Sequence, residues 1–206
     1  EIEALYGLRQ FTDDDRNLYF DLSPPERSAV DARTTSVGVY LALELGYFKA
    51  KRQFFTFDQD AVVDDLRYLL GQYFPGQTIE SIKAPSRPTR GAIQQAVLDL
   101  FSYRVCDSIA KTELEQKAQR IAALSTQPLY ILRESLQYLS NERIVALQYT
   151  TMQDMVGRVV THERHRVTGL LEQAMTPAVE QGLDDLLRAD EPMYRISALK
   201  REPKDF

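Results

Sequence analysis

Residues 34–55 read TTSVGVYLALELGYFKAKRQFF, a stretch that predicts a long core helix over about 35–51. Apolar side chains recur at helical spacing and form one face: Val37, Tyr40, Leu41, Leu45 and Phe48. Three cations, Lys49, Lys51 and Arg52, fall in the last turn, where positive charge suits the helix dipole. The aromatics Tyr47, Phe48, Phe54 and Phe55 are expected in the core, where they fix the corner at the helix end.

Helical signals dominate the rest of the chain, and the fold class is predicted to be all-α. Ser23, Pro24 and Glu26 form a capping box that opens a helix over about 24–32. Further helices are predicted over about 13–19, 62–73, 89–103, 108–124, 128–138, 141–146, 151–175 and 177–187, with a short extended piece at 78–82. We expect two packed helical subdomains, residues 1–104 and 105–206, an organisation compatible with a helix-turn-helix arrangement.

Composition indicates an ordinary globular chain. Of its 206 residues, 44% are hydrophobic and 27% charged. The single cysteine, Cys106, excludes an internal disulfide framework and fits a reducing cytosol. No apolar run is long enough for a membrane span. The pair His162 and His165 has no recognised metal-ligand spacing, so neither a metal nor another cofactor is expected.

Several long strings in a fixed order resemble the N-terminal region of the replicative transposases of the Tn-three family. These are YFDLSPPER at 19–27, LGYFKAKRQFF at 45–55, VVDDLRYLLGQYFP at 62–75, TTMQDMVGRVV at 150–160 and SALKREPKDF at 197–206. The likeness spans nearly the whole chain and is strongest in the first 75 residues.

The resemblance implies a division of labour within a longer bacterial cytoplasmic protein. The RNase H-like catalytic core of that family, with its magnesium-binding carboxylates, lies far C-terminal to this region. The helical N-terminal domains recognise the terminal inverted repeats of the transposon. The chain is therefore expected to bind double-stranded DNA without being an enzyme itself. It begins without Met and ends at REPKDF, as expected of a part of such a protein.

The net charge of −5 weakens a DNA-binding interpretation, but its distribution matters more. Residues 1–80 and 121–206 carry an acidic excess, whereas residues 81–120 carry seven Lys/Arg against four Asp/Glu. The arm and helix at 83–104 are locally the most basic part of the chain. Its cations are Lys83, Arg87, Arg90 and Arg104. Thr89 is expected to cap the helix and to offer backbone N–H groups to a phosphate. On the outward face, two amide side chains can reach a base edge, those of Gln94 and Gln95.

Other cations are weaker candidates for phosphate contact. Lys49, Lys51 and Arg52 can grip a backbone phosphate or equally pair with acids of the following helix. Lys111, Lys117 and Arg158 lie on predicted helices whose charged faces can equally well be only solvated.

Two alternatives stay open beside sequence-specific DNA binding. The acidic N-terminal half can instead be a scaffold that docks on other transposase domains or on a second protomer, as a homodimer. An enzyme is the poorest interpretation, because the sequence has no nucleophile–histidine arrangement and no phosphate-cradling glycine loop.

Overall fold

The computed structural model describes the backbone of residues 2–190 and 193–194 and the side chains of residues 2–188, and confirms the all-α class. The helices are α1 Ile2–Tyr6, α2 Asp13–Tyr19, α3 Pro24–Asp31, α4 Thr35–Lys51, α5 Val63–Tyr73, α6 Arg87–Phe101, α7 Ser108–Ala122, α8 Pro128–Asn141, α9 Tyr149–Ala174 and α10 Pro177–Leu187. Short 3-10 turns cover Asp60–Val62 and Ile79–Ser81, and the two-residue strands β1 Ala189–Asp190 and β2 Met193–Tyr194 pair antiparallel.

Helix α4 has the predicted bounds, but it is buried on every side rather than along one face. All residues from Gly38 to Phe48 are buried, including Glu44. A helix that is apolar around its circumference needs neighbours on all sides. Helices α2, α3, α5 and α6 provide them. The helix therefore forms the axis of a first hydrophobic core, which the predicted aromatics Tyr47 and Phe48 enter with almost no exposure.

A second hydrophobic core is formed by α7, α8 and α9. Leu114, Ile131, Leu139 and Met152 are among its fully buried side chains. The periodic apolar positions of these helices meet, as expected for amphipathic helices that share one core.

Several contacts between described residues join the two cores. Leu5 and Tyr6 of α1 pack against the second core, and Val145 packs into the first. Residues Arg104 and Ile144 form a parallel bridge, in which Arg104 N–H donates to Arg143 O at 2.9 Å and Val145 N–H donates to Arg104 O at 3.0 Å. The division into subdomains 1–104 and 105–206 stays a prediction. The contacts above would hold two such subdomains together.

Two predicted elements are wrong. Residues 141–146 do not form a helix of their own, because α8 continues to Asn141 and the following backbone pairs with Arg104 instead. The piece expected to be extended at 78–82 contains a 3-10 turn, which Ser81 Oγ closes by donating to Thr78 O at 2.6 Å.

No helix of the part of the chain that the structure describes is long and apolar enough to cross a bilayer. The string SALKREPKDF at 197–206 lies outside the described residues.

Candidate nucleic-acid interface

The basic arm leads into α6 at the N-terminal end of α4. Lys83 N–H donates to Ser36 Oγ at 3.2 Å, and the Lys83 side chain is exposed. The predicted cap at Thr89 is wrong: Ser86 caps the helix, and its Oγ accepts from Thr89 N–H at 3.4 Å. Helix α6 begins earlier because Arg87-Pro88 suits the first helical positions, where proline costs no hydrogen bond. Thr89 lies within the first turn, with its hydroxyl 2.8 Å from that of Ser86.

The outward face of α6 is short and polar. Arg87, Gly91 and Gln95 are exposed at successive i, i+4 positions, with the small Ala92 beside them. Gln95 Nε2 donates to Asp99 Oδ1 at 2.8 Å one turn later. A Cβ added to Gly91 would have no neighbour within 4 Å in the described part of the chain, so this face is open to an approaching molecule.

Arg90 and Gln94 are half-buried, and Arg90 lies over a buried carboxyl. Arg90 lines a cavity of about 20 Å³ together with Tyr40 and Glu44. Glu44 is only 4% exposed, and desolvation raises its pKa to about 8, although a Phe55 backbone hydrogen bond and Arg90 act in the opposite sense. Among the residues that the structure describes, Tyr40 Oη and Glu44 Oε1 have no hydrogen-bond partner. Sequence reasoning missed this carboxyl because it sits within an apolar run.

The three cations at the end of α4 have intramolecular partners. Lys49 Nζ donates to Glu26 Oε2 at 2.8 Å and to Asp21 O at 2.6 Å, so its partner lies on the preceding helix α3 and not on the following one. Lys51 Nζ donates to Ala4 O at 2.5 Å.

Arg52 caps α4 with a left-handed backbone, at φ 55°. Its guanidinium lies over three rings, with its central carbon 5.8 Å from the ring centre of Phe48, 5.6 Å from that of Phe101 and 5.8 Å from that of Tyr103. These cation–π contacts hold the side chain at the meeting point of α4 and α6.

The basic span 83–104 is divided between the two ends of α6. Helices α4 and α6 run in the same direction, since Lys83 contacts Ser36 at one end and Phe101 stacks on Phe48 at the other. The rise of a helix separates Ser36 from Arg52 by about 24 Å. Arg104 lies at the Arg52 end, where its backbone joins the second core and its Nη1 is 3.7 Å from Asp107 Oδ2.

The candidates on the second core lie on exposed faces. Lys111 and Lys117 project from α7, while Arg158 Nη2 of α9 lies 3.4 Å from Glu115 Oε1. His162 and His165 are exposed on α9. Within the described ranges, no group of three or more His, Cys, Asp or Glu residues is placed to hold a metal ion.

Two cations that the sequence did not single out, Arg9 and Arg133, line one cleft with Lys51 and Arg52. Arg9 lies in the segment before α2 and Arg133 lies on α8, so only the tertiary structure brings them together. Burial first, and the like charge of Arg9 second, lower the pKa of Lys51, whereas Glu3 acts in the opposite sense.

Comparison with known proteins identifies a family. Residues 1–159 match the family described as a domain of unknown function, DUF4158. A search of curated proteins finds no match. The matched range covers the whole first core and the second core up to Val159 of α9. The chain therefore belongs to the DUF4158 family of domains of unknown function.

Proposed function

We propose that the chain binds duplex DNA sequence-specifically at the terminal inverted repeats of a transposon, as the N-terminal part of a Tn-three-family replicative transposase acting in DNA transposition and recombination. One observation carries the proposal: the open, polar face of α6 with Lys83 and Arg87 at its N-terminal end. The ordered sequence strings that resemble the family support the choice of transposon DNA.

The face has the composition that a groove-reading helix needs. Arg87 and Lys83 suit the phosphates on either side of a groove, because their charges release counterions from the backbone. Gly91 and Ala92 leave room for the close approach of a base pair. The Gln95 amide can pair with adenine through two hydrogen bonds in the major groove, a contact that replaces or shares its present hydrogen bond to Asp99. Asp99, one turn after Gln95, marks the end of this face, because its negative charge disfavours a nearby phosphate.

Fluorescence anisotropy with an inverted-repeat duplex and a scrambled duplex tests the proposal. We expect preferential binding of the inverted repeat that weakens steeply with salt. Arg87→Gln should weaken binding to both duplexes alike, whereas Gln95→Ala should lower the preference between them by about 1–3 kcal/mol. Arg67→Gln, an exposed cation on α5, is the control. Equal affinity for both duplexes would refute specific recognition.

The proposal includes no catalytic step and no cofactor in this chain. Magnesium and hydrolysis belong, in the proposal, to a distant part of the longer protein. Incubation of the chain with magnesium and end DNA should leave the duplex uncut. Nuclease activity that co-purifies with the protein would overturn this part of the proposal.

A second candidate function, docking on another transposase domain or on a second protomer, is favoured by one specific observation. The last turns of α9, the residue after it and the length of α10 expose large apolar side chains: Val167, Leu170, Leu171, Met175, Val179, Leu183 and Leu187. Exposed apolar surface of this kind marks interaction sites. Light scattering distinguishes the candidates, since a dimer through these residues would persist at high salt whereas DNA binding would not.

A further inference from the structure

We infer that the cleft between the two cores binds a phosphate group. The cleft has a volume of about 470 Å³. One wall consists of the end of α4, Ala50–Gln53, with Arg9 beside it, and the other is the face of α8 that carries Arg133 and Gln137. A ligand placed there would touch both cores at once.

The charge of the lining favours an anion. Arg9, Lys51, Arg52 and Arg133 all line the cleft, and none of the described residues that line it is acidic. Burial first and the like charge of Arg9 second lower the pKa of Lys51 and so disfavour its protonated form, whereas Glu3 acts in the opposite sense. A bound anion would relieve this repulsion, because opposite charge nearby favours the charged form of a lysine.

The guanidinium groups of Arg9 and Arg52 are held in place before any ligand arrives. Arg9 Nη2 donates to Asp15 Oδ1 at 2.7 Å, and its guanidinium lies 5.0 Å from the ring centre of Tyr19. Arg52 uses Nη1 for Phe48 O at 3.2 Å and stacks on its three rings. A guanidinium has five N–H donors, so these contacts leave donors for a ligand. Fixed arginine forks match the oxygens of a phosphate better than mobile lysines do.

The source of the phosphate that the geometry favours is the backbone of duplex DNA, an assignment that rests on the proposed function. Arg52 lies where α6 ends, about 24 Å from the arm at its other end. A duplex read along α6 would cover this distance with about seven backbone phosphates at 3.4 Å each. A small free phosphate compound offers the same chemistry, so the test has an arm for each source.

The first arm measures DNA affinity against salt for Lys51→Gln and Arg133→Gln, one substitution on each wall. We expect each to weaken binding about tenfold and to lower the salt slope by about 1, while Arg67→Gln leaves both unchanged. The thermal midpoint of each variant, measured without ligand, separates unfolding from lost contact. Unchanged affinity and slope in folded variants, with wild-type binding intact, would overturn the assignment to DNA.

The second arm measures the thermal shift produced by inorganic pyrophosphate. We expect a rise in the melting temperature of the wild type and of Arg67→Gln, and a smaller rise in the two cleft variants. Loss of this shift together with unaltered DNA binding would assign the cleft to a small phosphate compound. An equal shift in all four proteins would refute the phosphate site. Absence of DNA binding by the wild type would refute the proposed function, and the pyrophosphate arm would still decide the cleft.

Discussion

The hydroxyl of Tyr47 donates a hydrogen bond of 2.7 Å to Oδ2 of Asp65, joining α4 to α5 inside the first core. The other oxygen of Asp65 accepts from Arg16 Nε of α2 at 2.8 Å. Asp65 is only 4% exposed, and burial followed by the hydrogen bond to Asp65 raises the pKa of Tyr47. One carboxylate therefore ties three helices together.

Removal of this carboxylate should destabilise the fold. Asp65→Ala leaves the Arg16 charge and the Tyr47 hydroxyl without their shared acceptor, and we expect the free energy of unfolding to fall by about 3 kcal/mol. Urea denaturation measures the change. Asp64→Ala is the control, since its exposed pair with Arg67 should contribute less than about 1 kcal/mol. Equal losses in the two variants would contradict the role given to Asp65.

The buried Glu44 should make stability depend on pH. Its pKa is about 8 in the folded chain against an ordinary value of 4.5, so the folded state holds a proton that the unfolded state has released between these values. Stability should therefore fall as pH rises from about 5 to 8, by up to about 1.4 kcal/mol per pH unit. Glu44→Gln should flatten the profile, and the exposed Glu134→Gln should not. Identical slopes in wild type and Glu44→Gln would count against a buried neutral carboxyl.

Glycine substitutions on two helices should have opposite signs. A Cβ on Gly46 would overlap the ring atoms Cδ1 and Cε1 of the fully buried Phe20, so Gly46→Ala should lower stability by about 1–3 kcal/mol. A Cβ on Gly71 meets no described residue within 4 Å, so Gly71→Ala should raise stability by up to about 1 kcal/mol. Thermal melts of the two variants against the wild type provide the comparison. A stabilising Gly46→Ala would show that α4 does not pack this closely.

Lys49 should matter for stability and not for DNA. Its pair with Glu26 is largely shielded, with side-chain exposures of 18% and 6%. Lys49→Gln leaves Glu26 uncompensated, and we expect a loss of about 3 kcal/mol in unfolding free energy. DNA affinity of the folded variant should stay within about twofold of the wild type, because the ammonium is already paired with a carboxylate, whereas that of Lys51 donates only to the backbone oxygen of Ala4. A large loss of DNA affinity with unchanged stability would contradict this prediction and indicate that Lys49 contacts a phosphate.

The predicted helices are confirmed where local signals agree, and wrong where distant residues decide. The bounds of α4 follow from an apolar run that ends in cations, and Ser23 N–H donates to Glu26 Oε2 at 2.7 Å as the capping box requires. Residues 141–146 have helical character by themselves, yet their backbone pairs with Arg104, about forty positions away. No local pattern announces such a pairing.

The sequence predicts less of the candidate site than of the fold. Sequence spacing groups Lys83 with Arg104, but α6 holds them about 20 Å apart. The cleft cations come from three separate segments, and the pairing of Lys49 with Glu26 spans 23 positions. The sequence therefore shows the local excess of basic residues. Which acidic, polar or aromatic groups contact each cation depends on the tertiary structure.

The burial of α4 on all sides has a consequence for how the chain folds. The apolar surface of this helix is fully buried only when all the helices around it have packed against it, so a partly folded first core exposes a wide apolar surface to water. Those helices lie within residues 13–101, close to α4 in sequence, so most of the contacts that bury α4 are local ones with a low entropic cost of loop closure. We therefore expect the first core to fold rapidly and in one cooperative step, with helix formation and collapse appearing at the same rate in stopped-flow experiments.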